Sequence, residues 1–239
     1  MEFAIIAAGE GSRLREEGLA VPKPMLPLLG IPMIERLITI FAHQGATCVH
    51  VLINGQTPAL KDYLNATMFA VPVRVSVQDT LSSLHSLEVL TQQNPDWESC
   101  VVTTTDTVFL EQDFSNYLAG FRASPDSDAY MGVTPFVDDE SPLFVAVDSE
   151  LQVRGFYDLQ DADAAGSAAY VSAGIYGLRR EALAAVYPCV ASGISRMRNY
   201  QRSLLTAGLQ VKAHVFGKVV DVDHVYDMTT AEEFLKTES

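Results

Sequence analysis

Positive charge is scarce in this sequence: 16 Lys and Arg stand against 30 Asp and Glu, a formal charge of −14 over 239 residues. Proteins that grip a nucleic-acid backbone need clustered Lys and Arg to displace counterions, so nucleic acid is excluded as the expected partner. A small anion is not excluded, because screening acts over roughly 8 Å at physiological salt and a few local cations override distant carboxylates. Cysteine is nearly missing as well. Cys48, Cys100 and Cys189 are well separated and odd in number, which speaks against a disulfide framework or a zinc site. No apolar run approaches the roughly 18 residues of a membrane span. Met1 and Glu2 open onto a short apolar run with no basic leader. A cytoplasmic protein with reduced thiols and no membrane partner is therefore expected. Repeats and low-complexity tracts are missing too, whereas a hydrophobic content of 48% supplies a sizeable core.

Residues 3–8 form a continuous apolar run closed by Gly9, which predicts a buried strand of a parallel sheet. Pro32 then marks a helix start, with Met33, Ile34, Leu37, Ile38 and Phe41 at helical spacing before a stop at Gly45. Residues 47–53, 71–77 and 100–104 read as further strands, with helices at 58–64 and 84–92 between them. Such alternation predicts an α/β fold with helices on both faces of a parallel sheet. After Asp106 the pattern turns to strands at 129–136, 143–147, 153–157 and 169–178 with few helices, an antiparallel extension. Helices at 180–186 and 194–205, strands at 211–216 and 219–222 and a last helix from about Thr230 complete the reading. Residues 161–169, rich in Asp, Ala, Gly and Ser, read as an exposed loop with the composition of a lid.

The chemistry concentrates after the first strand, in Ala7-Ala8-Gly9-Glu10-Gly11-Ser12-Arg13-Leu14. Glycines there let backbone N–H groups approach phosphate oxygens, and the carboxyl ends of parallel strands are where open α/β sheets bind ligands. A dinucleotide fingerprint would place a third glycine where Leu14 stands, and a P-loop would show Gly-Lys-Ser/Thr, so neither pattern is met. Ten residues beyond Arg13, Lys23 is clamped between Pro22 and Pro24, a rigid point charge for a phosphate. Thr103-Thr104-Thr105-Asp106 ends a strand in a carboxylate behind small residues. In Asp221-Val222-Asp223, strand alternation would set two carboxylates on one face, a donor pair for a hard cation.

Gly9, Gly11, Ser12, Arg13 and Leu14, followed at that spacing by Pro22-Lys23-Pro24, resemble the N-terminal signature of the sugar-1-phosphate nucleotidyltransferases. Molybdopterin-cofactor nucleotidyltransferases look similar in the glycine loop but bring their lysine in sooner and lack the prolines. The resemblance implies one domain over residues 1–239, with a three-layer α/β/α Rossmann-like nucleotidyltransferase fold and a mixed, mostly parallel central sheet. The form expected is the compact one of that family, without a C-terminal β-helix. It also implies the reaction: Mg²⁺-dependent transfer of a nucleotidyl group from an NTP to a sugar 1-phosphate, with release of pyrophosphate. Arg13, Lys23 and Asp106 would be catalytic. Ala8, Gly9, Gly11, Ser12 and Arg13 would hold the nucleotide, with Gln78, Ser82 and Ser83 on the base and ribose. Asp106 would bind the metal together with Asp223 first and Asp221 second. Lys23, Tyr157, Ser172 and Gly174 would face the acceptor.

Three departures accompany the match. Ser82 and Ser83 replace a Gly-Thr pair, Ser172 replaces an Asn, and Phe156-Tyr157-Asp158 stands where a Glu-Lys-Pro element usually supplies a second lysine. That leaves Arg154 or Lys218 to serve the acceptor's phosphate, or an acceptor other than a common hexose 1-phosphate. Rival readings are a cytidylyltransferase for phosphocholine or a similar alcohol phosphate, for which Tyr157, Asp158 and Tyr170 would form the pocket; a glycosyltransferase; and a non-catalytic nucleotide-sugar-binding regulator. His85, His224 and Trp97 read as structural. The oligomeric state, homo-oligomer included, is not fixed by the sequence.

Overall fold

The computed structural model describes residues 1–9, 11–137, 140–161 and 169–238. The first apolar run forms β1 (Glu2–Ala7), and the glycine loop leads into α1 (Ser12–Glu16). A hairpin of β2 (Pro27–Leu28) and β3 (Ile31–Pro32) precedes α2 (Met33–His43). Next come β4 (Val49–Ile53), α3 (Pro58–Ala66), β5 (Val73–Val77), α4 (Ser83–Gln93) and β6 (Ser99–Thr104). β1 lies between β4 and β6, with β5 outside β4, and all four are parallel. Side chains of β1 alternate between two cores. Phe3, Ile5 and Ala7 pack with α2 and α3, whereas Ala4 and Ile6 pack with α4. A strand covered on both faces must be apolar at every position, which is why this one reads as a continuous run.

The second half begins with β7 (Thr107–Val108) and α5 (Glu111–Ala123), followed by β8 (Ala129–Thr134), β9 (Phe144–Val147), β10 (Val153–Tyr157) and β11 (Tyr170–Arg179). It ends with α6 (Arg180–Ala184), α7 (Val186–Ala191), α8 (Met197–Thr206), β12 (Val211–Val215), β13 (Val220–Asp221) and α9 (Val225–Leu235). The main sheet runs β5-β4-β1-β6-β11-β8-β12, with β9 and β10 attached beside the start of β11. β11 is antiparallel to β6, β8 and β9, while β12 is parallel to β8. The sheet is thus mixed and mostly parallel, with α2, α3 and α5 on one side and α4, α6, α7 and α8 on the other. No helix among the described residues is long and apolar enough to cross a membrane.

Two expectations need correction. The stretch after Asp106 is not poor in helices, because α5 buries Phe114, Tyr117, Leu118 and Phe121 at i, i+3, i+4 and i+7 against the sheet. The last helix starts at Val225 rather than near Thr230, since the carboxylate of Asp227 accepts the backbone N–H groups of Asp223 (2.8 Å) and His224 (2.7 Å) and caps it early. Of the proposed lid, residues 162–168 lie outside the described residues.

Gly174 bends β11 where its pairing with β8 shifts register. Its φ is +69°, and an added Cβ would stand 2.6 Å from Thr107 Oγ1 and 3.0 Å from Thr104 Oγ1. Those two threonines share a 2.7 Å hydrogen bond and flank Asp106. Gly174→Ala is therefore expected to cost about 2 kcal/mol from left-handed backbone and crowding, a fall in Tm of roughly 4–8 °C, read by thermal melting. An unchanged Tm would mean that β11 does not brace this turn.

Candidate active site

The carboxyl ends of β1 and β6 open into a cleft of about 560 Å³. One wall is the glycine loop. Gly11 sits at φ +58°, and its missing Cβ would lie 3.0 Å from the Cβ of Lys23, so the loop and Lys23 approach closely only because this residue is glycine. The side chain of Asn54, just past β4, donates to the carbonyls of Ala8 (3.0 Å) and Gly9 (3.4 Å) and fixes the loop from below. Thr105 Oγ1 likewise donates to the carbonyl of Ile6 at 3.0 Å, joining the ends of β1 and β6.

At the floor, Lys23 begins a 3₁₀ turn (Lys23–Met25) set by Pro22 and the buried Pro24. Its ammonium, only 13% exposed, lies 2.7 Å from Asp106 Oδ2 and 2.5 Å from Asp223 Oδ1. Arg13, 48% exposed, donates to the second oxygen of Asp223 at 2.7 Å. Burial opposes the charge on Lys23, but the two carboxylates outweigh it and raise its pKa above the usual lysine value. Burial likewise opposes the charge on Asp106, and attraction to Lys23 with hydrogen bonds from Lys23 and Thr104 holds its pKa below the usual carboxylate range. Lys23 and Asp106 therefore face each other as a charged pair at neutral pH.

Asp223 reaches this floor from far along the chain through a short antiparallel pair. β13 lies on β7 with Asp221 opposite Thr107, and the N–H of Val222 donates to the carbonyl of Asp106 at 3.1 Å. His224 then contacts Glu17 at 2.5 Å, and Glu17 also accepts the N–H of Val225 at 2.7 Å, tying α9 to the end of α1. The hydrogen bond to Glu17 raises the pKa of His224, burial working against it.

Of the residues singled out in the sequence, Ala8, Gly9, Gly11, Ser12, Arg13, Lys23, Ser82, Ser83, Asp106 and Asp223 line this one cleft. Asp221 lines small neighbouring hollows instead. Gln78 is exposed at the end of β5, outside the cleft wall. Ser172 donates to Gln201 at 3.1 Å, Tyr157 covers Gly155, and Gly174 packs on Thr107, all away from the cleft wall. The hydroxyls of Ser82 and Ser83 are already engaged: Ser82 accepts the N–H of Arg196 and Ser83 that of Met197, each at 3.1 Å. Arg154 is paired with Asp148 at 2.5 Å, and Lys218 lies 4.1 Å over the ring of Phe136, so neither faces the cleft. Thr80, Leu81, Ser86, Thr104 and Thr105 also line it; the threonines before Asp106 were read only as small residues, and Ser86 and Asn54 were not singled out in the sequence. Their position just past the carboxyl ends of parallel strands was the available signal. Leu81 is 91% exposed at the rim, an apolar face beside an otherwise polar opening.

The donor set suits a small divalent cation. Asp106 and Asp223 turn hard carboxylate oxygens toward one point now held by the Lys23 ammonium. Among the described residues no group of three or more metal-type side chains occurs. Two carboxylates with substrate phosphates and waters are the usual complement for Mg²⁺.

A glycine loop on a parallel strand, facing two cations held by two carboxylates, defines a nucleotide-handling α/β protein. The chain belongs to the MobA-like NTP transferase domain family, whose model matches residues 3–189. A UTP--glucose-1-phosphate uridylyltransferase of Synechocystis is 25% identical over 48% of this chain, and the match spans 32% of that relative's length. Two solved structures share the fold. The inositol-1-phosphate CTP transferase of T. maritima superposes with a TM-score of 0.81 at 17% identity, covering 98% of this chain and 94% of its own. A protein of Bacillus anthracis provisionally named a glucose-1-phosphate thymidylyltransferase, in complex with a sucrose, gives 0.83 at 18% identity with the same coverage.

Proposed function

We propose that this chain joins the nucleotidyl group of an NTP to a phosphorylated polyol, a sugar 1-phosphate first, with Mg²⁺ as cofactor. The observation that carries this reading is the Arg13, Lys23, Asp106 and Asp223 cluster at the foot of the glycine loop. An oxygen of the acceptor's phosphate attacks the α-phosphorus in line, a new P–O bond forms, and the bond to pyrophosphate breaks with its electron pair on the leaving group. The phosphate is a nucleophile as it stands, so no side chain need remove a proton. Backbone amides of the glycine loop and the guanidinium of Arg13 bind the triphosphate, and Lys23 leaves its carboxylates to contact phosphate at the reacting centre. Mg²⁺ held by Asp106 and Asp223 would neutralise charge developing between the two substrates.

The relatives named for glucose 1-phosphate and the neighbour named for inositol 1-phosphate support a hydroxylated acceptor. So does Asp158, the acidic residue that a quaternary ammonium would need: Arg198 and Arg202 both hold it at 2.8 Å, which cancels its charge. Incubation with Mg²⁺ and each of the four NTPs and dTTP, against sugar 1-phosphates, inositol 1-phosphate and phosphocholine, is expected to release pyrophosphate with one pair. Release with phosphocholine alone would replace the polyol reading. Silence across the panel with nucleotide binding intact would replace the enzyme with a regulatory binder.

A further inference from the structure

Beside the cleft lies a second hollow of about 730 Å³, bounded by Glu140, Asp158, Gln160, Arg196, Arg198 and Asn199. Two contacts join it to the cleft. Glu140 stands 3.7 Å from Arg13, and the N–H of Arg196 donates to Ser82, which lines the cleft. No aromatic side chain is among the described residues that line this hollow.

A phosphate entering here must approach Asp106 and Asp223, so it needs a cation beyond Arg13 and Lys23, which in the reading above serve the triphosphate and the reacting centre. Arg198 and Arg202 are committed to Asp158. The guanidinium of Arg196 makes no hydrogen bond, ion pair or ring contact among the described residues. Its backbone adopts φ 68° and ψ 143°, a conformation that costs free energy for any residue but glycine. Anchored through its N–H to Ser82, that backbone sets an unpartnered cation on the ridge between cleft and hollow.

We propose that Arg196 receives the phosphate of the acceptor and that the hollow beside it holds the acceptor's hydroxylated remainder. This rests on the nucleotidyl-transfer reading above and supplies the cation that Phe156-Tyr157-Asp158 lacks. The polar wall suits hydroxyl groups, and Arg presents a fork that matches two phosphate oxygens.

Arg196→Gly removes the guanidinium while keeping the backbone free to adopt its positive φ, and Arg196→Lys keeps a charge without the fork. Calorimetric titration of wild type and both variants with the sugar 1-phosphates and inositol 1-phosphate, and separately with a non-hydrolysable NTP analogue and Mg²⁺, reads the two halves independently of turnover. Acceptor affinity is expected to fall about 10- to 100-fold in Arg196→Gly and less in Arg196→Lys, with NTP affinity within twofold of wild type. Steady-state KM for the acceptor should follow, with kcat little changed. Equal acceptor affinity in wild type and Arg196→Gly would overturn the assignment, as would a wild type that binds no acceptor of the panel. Pyrophosphate release by wild type decides the reaction itself, so failure of the reaction and failure of Arg196 give different results.

Discussion

Asp106→Ala is expected to lower kcat by about 10²–10³-fold or more, with secondary structure retained. Asp106 lies at the mouth of β6 on a turn whose backbone is held from two sides, by the N–H of Val222 on its carbonyl and by the Thr104–Thr107 hydrogen bond. Removing the carboxylate leaves those contacts in place and leaves Lys23 paired with Asp223, so the loss falls on the chemistry. Circular dichroism tests the first part and initial rates of pyrophosphate release test the second. Near-normal turnover would remove Asp106 from the reacting centre.

Lys23→Ala should cost turnover on a similar scale and carry a second, opposite signature. With the ammonium gone, Asp223 keeps Arg13 but Asp106 loses its one ion-pair partner among the described residues and faces a second carboxylate, which raises the pKa of Asp106. A carboxylate whose folded-state pKa is raised lowers stability at neutral pH, and that loss shrinks as pH falls and the group takes up a proton. A divalent cation, by contrast, would no longer compete with the lysine. Titration of the nucleotide-free variant with Mg²⁺ is therefore expected to show tighter binding than wild type, even as pyrophosphate release collapses. Weaker Mg²⁺ binding than wild type would show that the two carboxylates do not form the cation's site.

What could be read in advance follows the range of the interactions involved. Gly9, Gly11, Arg13 and Lys23 lie within one short stretch whose geometry is set by glycines and prolines, so their grouping was visible in the sequence. The central strands were visible for a related reason: burial on both faces makes them continuously apolar. α5 was equally readable from Phe114, Tyr117, Leu118 and Phe121, and was passed over in favour of strands. The start of α9 had a local signal in Asp227, which caps it from three residues past His224, whereas the contacts of Glu17 with His224 and Val225 that tie it to α1 span 207 and 208 positions and were not readable. The ring that holds Lys218 away from the cleft and the amides that occupy Ser82 and Ser83 are likewise decided by tertiary packing, whereas Arg154 meets Asp148 only six positions away. The family match ends at residue 189, ahead of Asp223. The second carboxylate was legible from the Asp221-Val222-Asp223 alternation after two late strands and from the resemblance, which put Asp223 first.

The pairing of β7 with β13 also sets a clock. Asp223 lies 200 positions beyond Lys23, so at about 5–20 residues per second a ribosome makes the second carboxylate roughly 10–40 s after the lysine. Throughout that interval the nascent chain carries a glycine loop, Arg13 and Lys23 with no Asp223 between the two cations. The activity proposed for this protein can begin only when that late strand has docked, so newly made chains pass through a chemically silent stage.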